Sequence, residues 1–182
     1  MILLNPITTK ETYKMAKKLY KSAFPKEEQK PFNFLIKNQQ KGLYDLFAIE
    51  DDESSFYGLA FLVKKDNLVL LDFLAISDEF RNQGVGSKAL KLLQEKYGDK
   101  KLFLEIENTT SNNAPNILQR IKRKEFYFKN NMTAQPYKVL LFGCDMEILS
   151  FEKPVSFEEY FSIFVDLYGK KKAEKKIKLF QE

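Results

Sequence analysis

The chain predicts an α+β domain in three layers (α/β/α), with a central twisted, largely antiparallel sheet and helices on both of its faces. Three observations lead there. Tyr44–Glu50, Phe56–Lys64 and Leu68–Ile76 are short apolar runs separated by the polar groups Asp51-Asp52-Glu53 and Lys65-Asp66-Asn67, the pattern of consecutive antiparallel strands and their turns. Other segments repeat their apolar residues at spacings of three and four, the period of a helix lying on a sheet. The length, 182 residues with 44% hydrophobic content, suits one domain with a sizeable core.

The elements follow in order. Ile2–Ile7 reads as a first strand. Thr9–Phe24 reads as a helix with Ala16, Leu19, Tyr20 and Ala23 on one face, and Pro25 ends it. Phe32–Lys37 is a shorter helix beginning at Pro31. The three strands come next, and then a helix with Leu90, Leu93 and Tyr97 on its inner face. Leu102–Glu107 is a strand and Asn116–Asn130 a helix. Tyr137–Phe151 is strand-rich with a break at Gly143. A final helix starts at Ser156, where Ser156 and Glu159 match a capping box, and it turns Phe157, Tyr160, Phe161, Phe164, Val165 and Tyr168 inward. No internal repeat and no linker interrupts the chain.

Composition excludes several function classes. Histidine is absent, which removes histidine triads, histidine metal sites and a histidine base, and no metal site is expected. The net charge is +5, but residues 170–182 hold six lysines and two glutamates and supply +4 of it. The body is therefore close to neutral, nucleic-acid binding is not expected, and the tail reads as a solvated helix or a frayed end. No apolar run reaches membrane-spanning length, and Met1-Ile2-Leu3-Leu4-Asn5-Pro6 is too short for a signal peptide, so no membrane partner is expected. The one cysteine, Cys144, fits a reducing, cytoplasmic setting.

The segment that carries chemistry is Leu68–Ile76 followed by Arg81-Asn82-Gln83-Gly84-Val85-Gly86-Ser87. A strand feeds a polar loop with two glycines, and a helix starts at once. Backbone N–H groups then converge at a helix N-terminus, where the dipole adds positive potential, which makes a phosphate site. The strict phosphate loop is absent, because Gly86 is followed by Ser87 and Lys88 and the required upstream glycine is missing. Gly84-Val85-Gly86-Ser87-Lys88-Ala89 satisfies the dinucleotide pattern, with Glu105 at about the right distance. Against it, Ser77–Gln83 separates strand from glycine, and no second βαβ unit follows Glu107.

Arg81-x-x-Gly84-x-Gly86 after an apolar strand resembles the acetyl-CoA loop of the GNAT superfamily of N-acetyltransferases. Leu74-Ala75-Ile76 with Ser77–Phe80 resembles the family's lead-in, and the later Phe126-Tyr127 falls in family order. The resemblance runs roughly from Ile2 to Phe151. It implies a mixed sheet in which Leu68–Ile76 and Leu102–Glu107 are parallel neighbours that splay apart, leaving backbone groups of Leu74, Ala75 and Ile76 for the pantetheine arm. It also implies that Arg81, Asn82, Gln83, Gly84, Val85, Gly86 and Ser87 hold the pyrophosphate, with acetyl-CoA as cosubstrate. Lys88 reads as solvated surface.

The implied activity is transfer of an acetyl group to a primary amine, on a small molecule or a peptide, by direct attack. Arg120–Tyr127 resembles the family's approach to a tyrosine facing the coenzyme sulfur, which makes Tyr127 the candidate general acid. Two departures are visible: Asn131 stands where the family has glycine, and Met132 where it has an aromatic residue. Glu105, between Leu104 and Ile106, and Glu28, just past the Phe24-Pro25 helix stop, are candidate bases or anchors for a cationic amine; Glu107 reads as a solvated carboxylate. The expected organisation is an acetyltransferase domain over residues 1–151, with a C-terminal helix and basic tail (152–182) packed on the same domain, as monomer or homodimer. A catalytically weak acyl-CoA-binding module, acting as sensor or interaction domain, is the second reading.

Overall fold

A computed structural model describes residues 1–110 and 114–180. The elements are β1 (Ile2–Pro6), α1 (Lys10–Ala23), α2 (Phe32–Gln40), β2 (Tyr44–Asp51), β3 (Phe56–Lys65), β4 (Leu68–Ile76), a 3-10 turn (Asp78–Phe80), α3 (Val85–Tyr97), β5 (Lys101–Glu107), α4 (Ile117–Lys129), β6 (Thr133–Leu141), β7 (Cys144–Ser150), α5 (Phe157–Tyr168), α6 (Lys170–Lys176) and β8 (Ile177–Phe180). The described strands form a mixed sheet in the order β1-β2-β3-β4-β5-β7-β6-β8. Neighbours in it run antiparallel except β4 and β5, which the α3 crossover makes parallel.

By contact the chain gathers into two compact units. The first is Met1–Lys65 with Leu71–Gly98, and the second is Asp66–Leu70 with Asp99–Glu182. Strand β4 thus passes from the second unit into the first at Leu71.

In the first unit helices cover both faces of the sheet. Leu46 of β2 lies opposite Phe61 of β3, and the rings of Tyr20 and Phe32 reach Phe61 at 5.8 and 6.1 Å, so α1 and α2 lie on that side. The alternate residues Asp45 and Phe47 meet Tyr97 and Lys96 of α3 on the other. Thr9 caps α1 by accepting from Thr12 N at 3.1 Å, and the inner positions Ala16 and Tyr20 are buried.

Strand β4 breaks its own alternation. Asp72 and Phe73 are consecutive, yet Asp72 bonds Lys30 and Tyr44 while Phe73 packs on Tyr20 and Phe24 at 4.8 and 4.9 Å. Lys65 and Leu68 flank the two-residue Asp66–Asn67 turn, whereas at the far end Ser77 N bonds Tyr57 O at 2.9 Å, a pairing one residue out of step. An extra residue in β4, a β-bulge, accounts for both.

In the second unit α5 covers β5. Lys101 pairs with Glu159 at 2.6 Å, and Tyr160 takes up both Phe103 (ring centroids 6.3 Å apart) and Glu105. The expected capping box is present, with Ser156 accepting from Glu159 N and the Glu159 carboxylate accepting from Ser156 N. Strand β6 begins at Thr133 rather than Tyr137. Pro136 brings no N–H, and the register shifts between Ala134 and Lys138, so these residues lack the sequence pattern of a strand.

The tail departs from expectation. It forms α6 and then β8, an antiparallel partner of β6 with Ile177 opposite Leu141 and Leu179 opposite Val139. Ala173 and Ile177 are buried, while Lys178 stays exposed, as suits an edge strand. Residues 181 and 182 of that tail lie outside the described residues.

Candidate active site

The first unit carries the glycine loop. Because Ser77 N bonds Tyr57 O, the strand period turns the backbone groups of Ser77 and Ala75 toward β3 and those of Leu74 and Ile76 toward the opposite edge. A Cβ at Gly58 would lie 2.3 Å from the Ala75 carbonyl oxygen, so only glycine fits opposite it. Of the three β4 residues, Ala75 is thus committed to β3. Leu74 and Ile76 direct their backbone groups away from β3, with the Ile76 carbonyl already accepting from Arg81 Nε at 3.1 Å.

After β4 the 3-10 turn seats Phe80 edge-on against Tyr57, with centroids 4.3 Å apart, and the Tyr57 hydroxyl donates to Asp51 at 2.9 Å. Arg81 is exposed and pairs with Asp78 at 2.9 Å. Asn82 (φ 60°) and Gly84 (φ 76°) both adopt the left-handed region, and Gln83 Nε2 donates to the Glu79 carbonyl at 2.7 Å. Gly84 caps α3 without a side chain, and a Cβ there would meet nothing within 4 Å. The first helical bond is Lys88 N to Gly84 O at 3.0 Å, so the N–H groups of Val85, Gly86 and Ser87 precede the ladder. Val85, Ala89, Leu90, Leu93 and Tyr97 bury the inner face of α3 and hold that terminus still, while Lys88 is exposed as expected. The result is a helix N-terminus whose first backbone N–H groups suit an anion, with open space beside Gly84. Glu28 is exposed on the loop joining α1 to α2, with its N–H bonded to Pro25 O at 3.1 Å.

The second unit carries the other candidates. Tyr127 is buried near the end of α4 against Phe126, with centroids 5.1 Å apart, and its hydroxyl makes no hydrogen bond among the described residues. Burial pushes the phenol up to about 12, against the opposing pull of the Arg123 charge, so it stays protonated throughout the neutral range. The chain turns immediately after it: Asn130 N and Met132 N both bond the Tyr127 carbonyl, at 3.0 and 3.1 Å. Asn131 takes φ 65°, the conformation a glycine would supply, and Met132 is buried.

Glu105 accepts from the Tyr160 hydroxyl at 2.6 Å. Glu107, expected to be solvated, is instead largely buried and ion-paired with Arg120 at 2.7 Å and Arg123 at 3.4 Å, because α4 packs its basic face against the end of β5. Glu147 on β7 is also buried. Desolvation raises its pKa, but bonds from Lys124 and Thr109 and the Lys124 charge outweigh that and leave it below the usual carboxylate range. Both carboxylates are thus used structurally, holding α4 to the sheet.

Residues 11–118 match the model of the acetyltransferase (GNAT) family, a span that includes the bulged strand, the loop and α3. The chain belongs to the acetyltransferase (GNAT) family.

The fold agrees with solved members. A protein described as a GNAT-family acetyltransferase from Bacteroides thetaiotaomicron superposes with a TM-score of 0.74 at 21% identity, over 92% of this chain and 99% of that one. Spermidine N-acetyltransferase from Vibrio cholerae, solved with CoA and spermine, gives 0.63 at 12% identity over 82% and 94%. The ribosomal-protein-S18-alanine N-acetyltransferase from Escherichia coli gives 0.61 at 16% identity over 87% and 97%. A comparison with curated proteins finds no match.

In this member of the family the expected loop residues and Leu74–Ile76 share the first unit with Glu28, whereas Tyr127 and Glu105 belong to the second. Gly58, Tyr57, Lys30 and Tyr44 escaped the sequence reading. Asp72 left one trace, as the lone charge inside Leu68–Ile76. Among the described residues no cluster of metal-ligating side chains occurs, and no helix is long and apolar enough to cross a membrane.

Proposed function

We propose that the protein is an acetyl-CoA-dependent N-acetyltransferase acting on a primary amine of a small molecule or peptide. The observation that carries this reading is the N-terminus of α3, where Val85, Gly86 and Ser87 offer N–H groups ahead of the first helical bond and glycine leaves the approach open. Those donors suit the coenzyme pyrophosphate, with the Ser87 hydroxyl and the loop Arg81–Gln83 beside them. The outward backbone of Leu74 and Ile76 suits an extended amide-bearing arm. The coenzyme supplies an acetyl thioester. A backbone N–H of β4 polarises the carbonyl, and the amine nitrogen attacks directly. Glu28 and Glu105 are offered to the amine, as anchor or as acceptor of its proton through water. Tyr127 donates a hydrogen bond, and then its proton, to the charge that develops on sulfur as the C–S bond breaks.

Its raised pKa defines the sign of the pH dependence. A phenol that loses its proton only near 12 imposes no descending limb on kcat in the range where free phenols titrate. Between pH 6 and 10, kcat is expected to rise or level as the amine deprotonates, and Tyr127→Phe to lower kcat by about 100-fold with coenzyme affinity unchanged. An unchanged kcat removes Tyr127 from the mechanism. Calorimetric titration with acetyl-CoA, followed by thiol release on an amine panel, tests the whole reading. Tight binding without release on any amine indicates an acyl-CoA-binding module instead.

A further inference from the structure

The segment from Phe24 to Pro31 has no regular structure and exposes Lys26, Glu27 and Glu28, yet it is fastened at every turn. Gln29 Nε2 donates to the last carbonyls of α1, Lys21 O at 3.1 Å and Phe24 O at 2.7 Å. The Tyr20 hydroxyl grips the Lys30 backbone from both sides, accepting from its N–H at 2.7 Å and donating to its carbonyl at 3.2 Å. The Lys30 side chain then reaches inward. Its Nζ donates to both Asp72 oxygens at 2.7 and 2.6 Å and to the Tyr44 hydroxyl at 3.1 Å, while Tyr44 donates to Asp72 Oδ2 at 2.6 Å. The ammonium also lies 5.4 Å above the Phe73 ring.

Every Lys30 ammonium proton and both Asp72 oxygens are satisfied, in a place where Asp72 and Tyr44 are almost wholly buried. Burial and the neighbouring carboxylate push the Tyr44 phenol well above its usual range, so it remains a donor. Well-packed apolar side chains hold a core as firmly as a buried ion pair does, and in some proteins what such a pair adds is a fixed register. Here that register joins two particular pieces of chain. Asp72 sits at the β4 bulge, two residues before the outward backbone of Leu74, and Lys30 ends the loop that bears Glu27 and Glu28.

We propose that the Lys30–Asp72–Tyr44 cluster is a positioning device that sets the Phe24–Pro31 loop at a fixed place on β4, so that the loop serves as a pre-formed wall for the acceptor amine. Lys30 is a positioning residue and touches no substrate. The inference rests on the acetyltransferase reading. It predicts a pair that matters more for where the loop lies than for whether the chain folds.

Single substitutions strand a buried charge and risk unfolding, so the deciding variant removes both: Lys30→Met with Asp72→Leu, in the full chain. Its melting temperature is expected to stay close to that of the unaltered protein. Amide hydrogen exchange over residues 24–31 is expected to speed up while α1 and β3 remain protected. With acetyl-CoA, and spermidine or an alanine-ended peptide as acceptor probe, kcat/KM for the amine is expected to fall at least about tenfold through loss of orientation, carried mainly by KM. Calorimetric affinity for acetyl-CoA is expected to hold. A double variant with unchanged exchange in the loop and unchanged amine KM overturns the positioning role alone. Absence of turnover by the unaltered chain on the panel, with no acetyl-CoA binding, overturns the acetyltransferase reading and this inference with it.

Discussion

Two ion pairs, one reaching into β4 and one just past its end, do opposite work. Lys30–Asp72 has side chains 16% and 3% exposed, whereas Arg81–Asp78 has side chains 53% and 87% exposed. The first is screened from water, fully hydrogen-bonded and tied to a loop 42 residues away in sequence. The second is local, three residues apart, and washed by solvent. The difference teaches where charge stabilises and where it is left available. Water weakens the exposed pair until it contributes little to folding, which frees Arg81 for an anionic ligand. Inside the unit, removing one partner leaves the other charged and dry.

Substitutions can break this contrast in graded steps. Asp72→Ala is expected to have the largest effect, a loss of about 3–5 kcal/mol in chemical denaturation, because Lys30 is left buried without its counter-charge. A loss below 1 kcal/mol would show that water reaches the pair and that the contrast in burial has no energetic meaning. Gly84→Ala comes next. Its Cβ meets nothing, so the cost is conformational alone, about 1–2 kcal/mol for a left-handed residue with a side chain. Coenzyme binding is expected to weaken more than with any side-chain change in the loop, since the donors are backbone. Arg81→Ala is the smallest in stability, less than about 1 kcal/mol, yet it is expected to lower acetyl-CoA affinity measurably. Equal affinity would assign Arg81 to bracing the Ile76 carbonyl and nothing more.

Much of the fold was legible because its signals are local. Leu68–Ile76 was bounded correctly by its turn on one side and its polar loop on the other, and Ser156 with Glu159 marked the start of α5. Thr9 and Pro25 bracketed α1 in the same way. The misses share a different cause. Strand β8 hides in a lysine-rich tail because, of its four residues, only Ile177 is buried, too little apolar pattern to announce it. Glu107 looked like surface because the arginines that enclose it come 13 and 16 residues later, on a helix whose docking no local pattern reveals. In the candidate site, Gly84 drew notice by its place in the loop and Asn131 by standing where the family has glycine, but Gly58 did not, since its need is set by the Ala75 carbonyl on the next strand.

From residue order alone came the family resemblance, the strand–loop–helix unit read as an anion site, and the residues whose backbone geometry depends on their own side chain or the lack of one. These are matters of local sterics and hydrogen bonding, settled within a few residues. Only the tertiary structure decided that Ala75 turns to β3 while Leu74 and Ile76 turn outward, that Tyr127 is buried enough to keep its proton, and that Lys30 meets Asp72. Each of those depends on burial and pairing between distant segments, and the energy of a charge or a donor is set by what surrounds it, not by what precedes it in the chain.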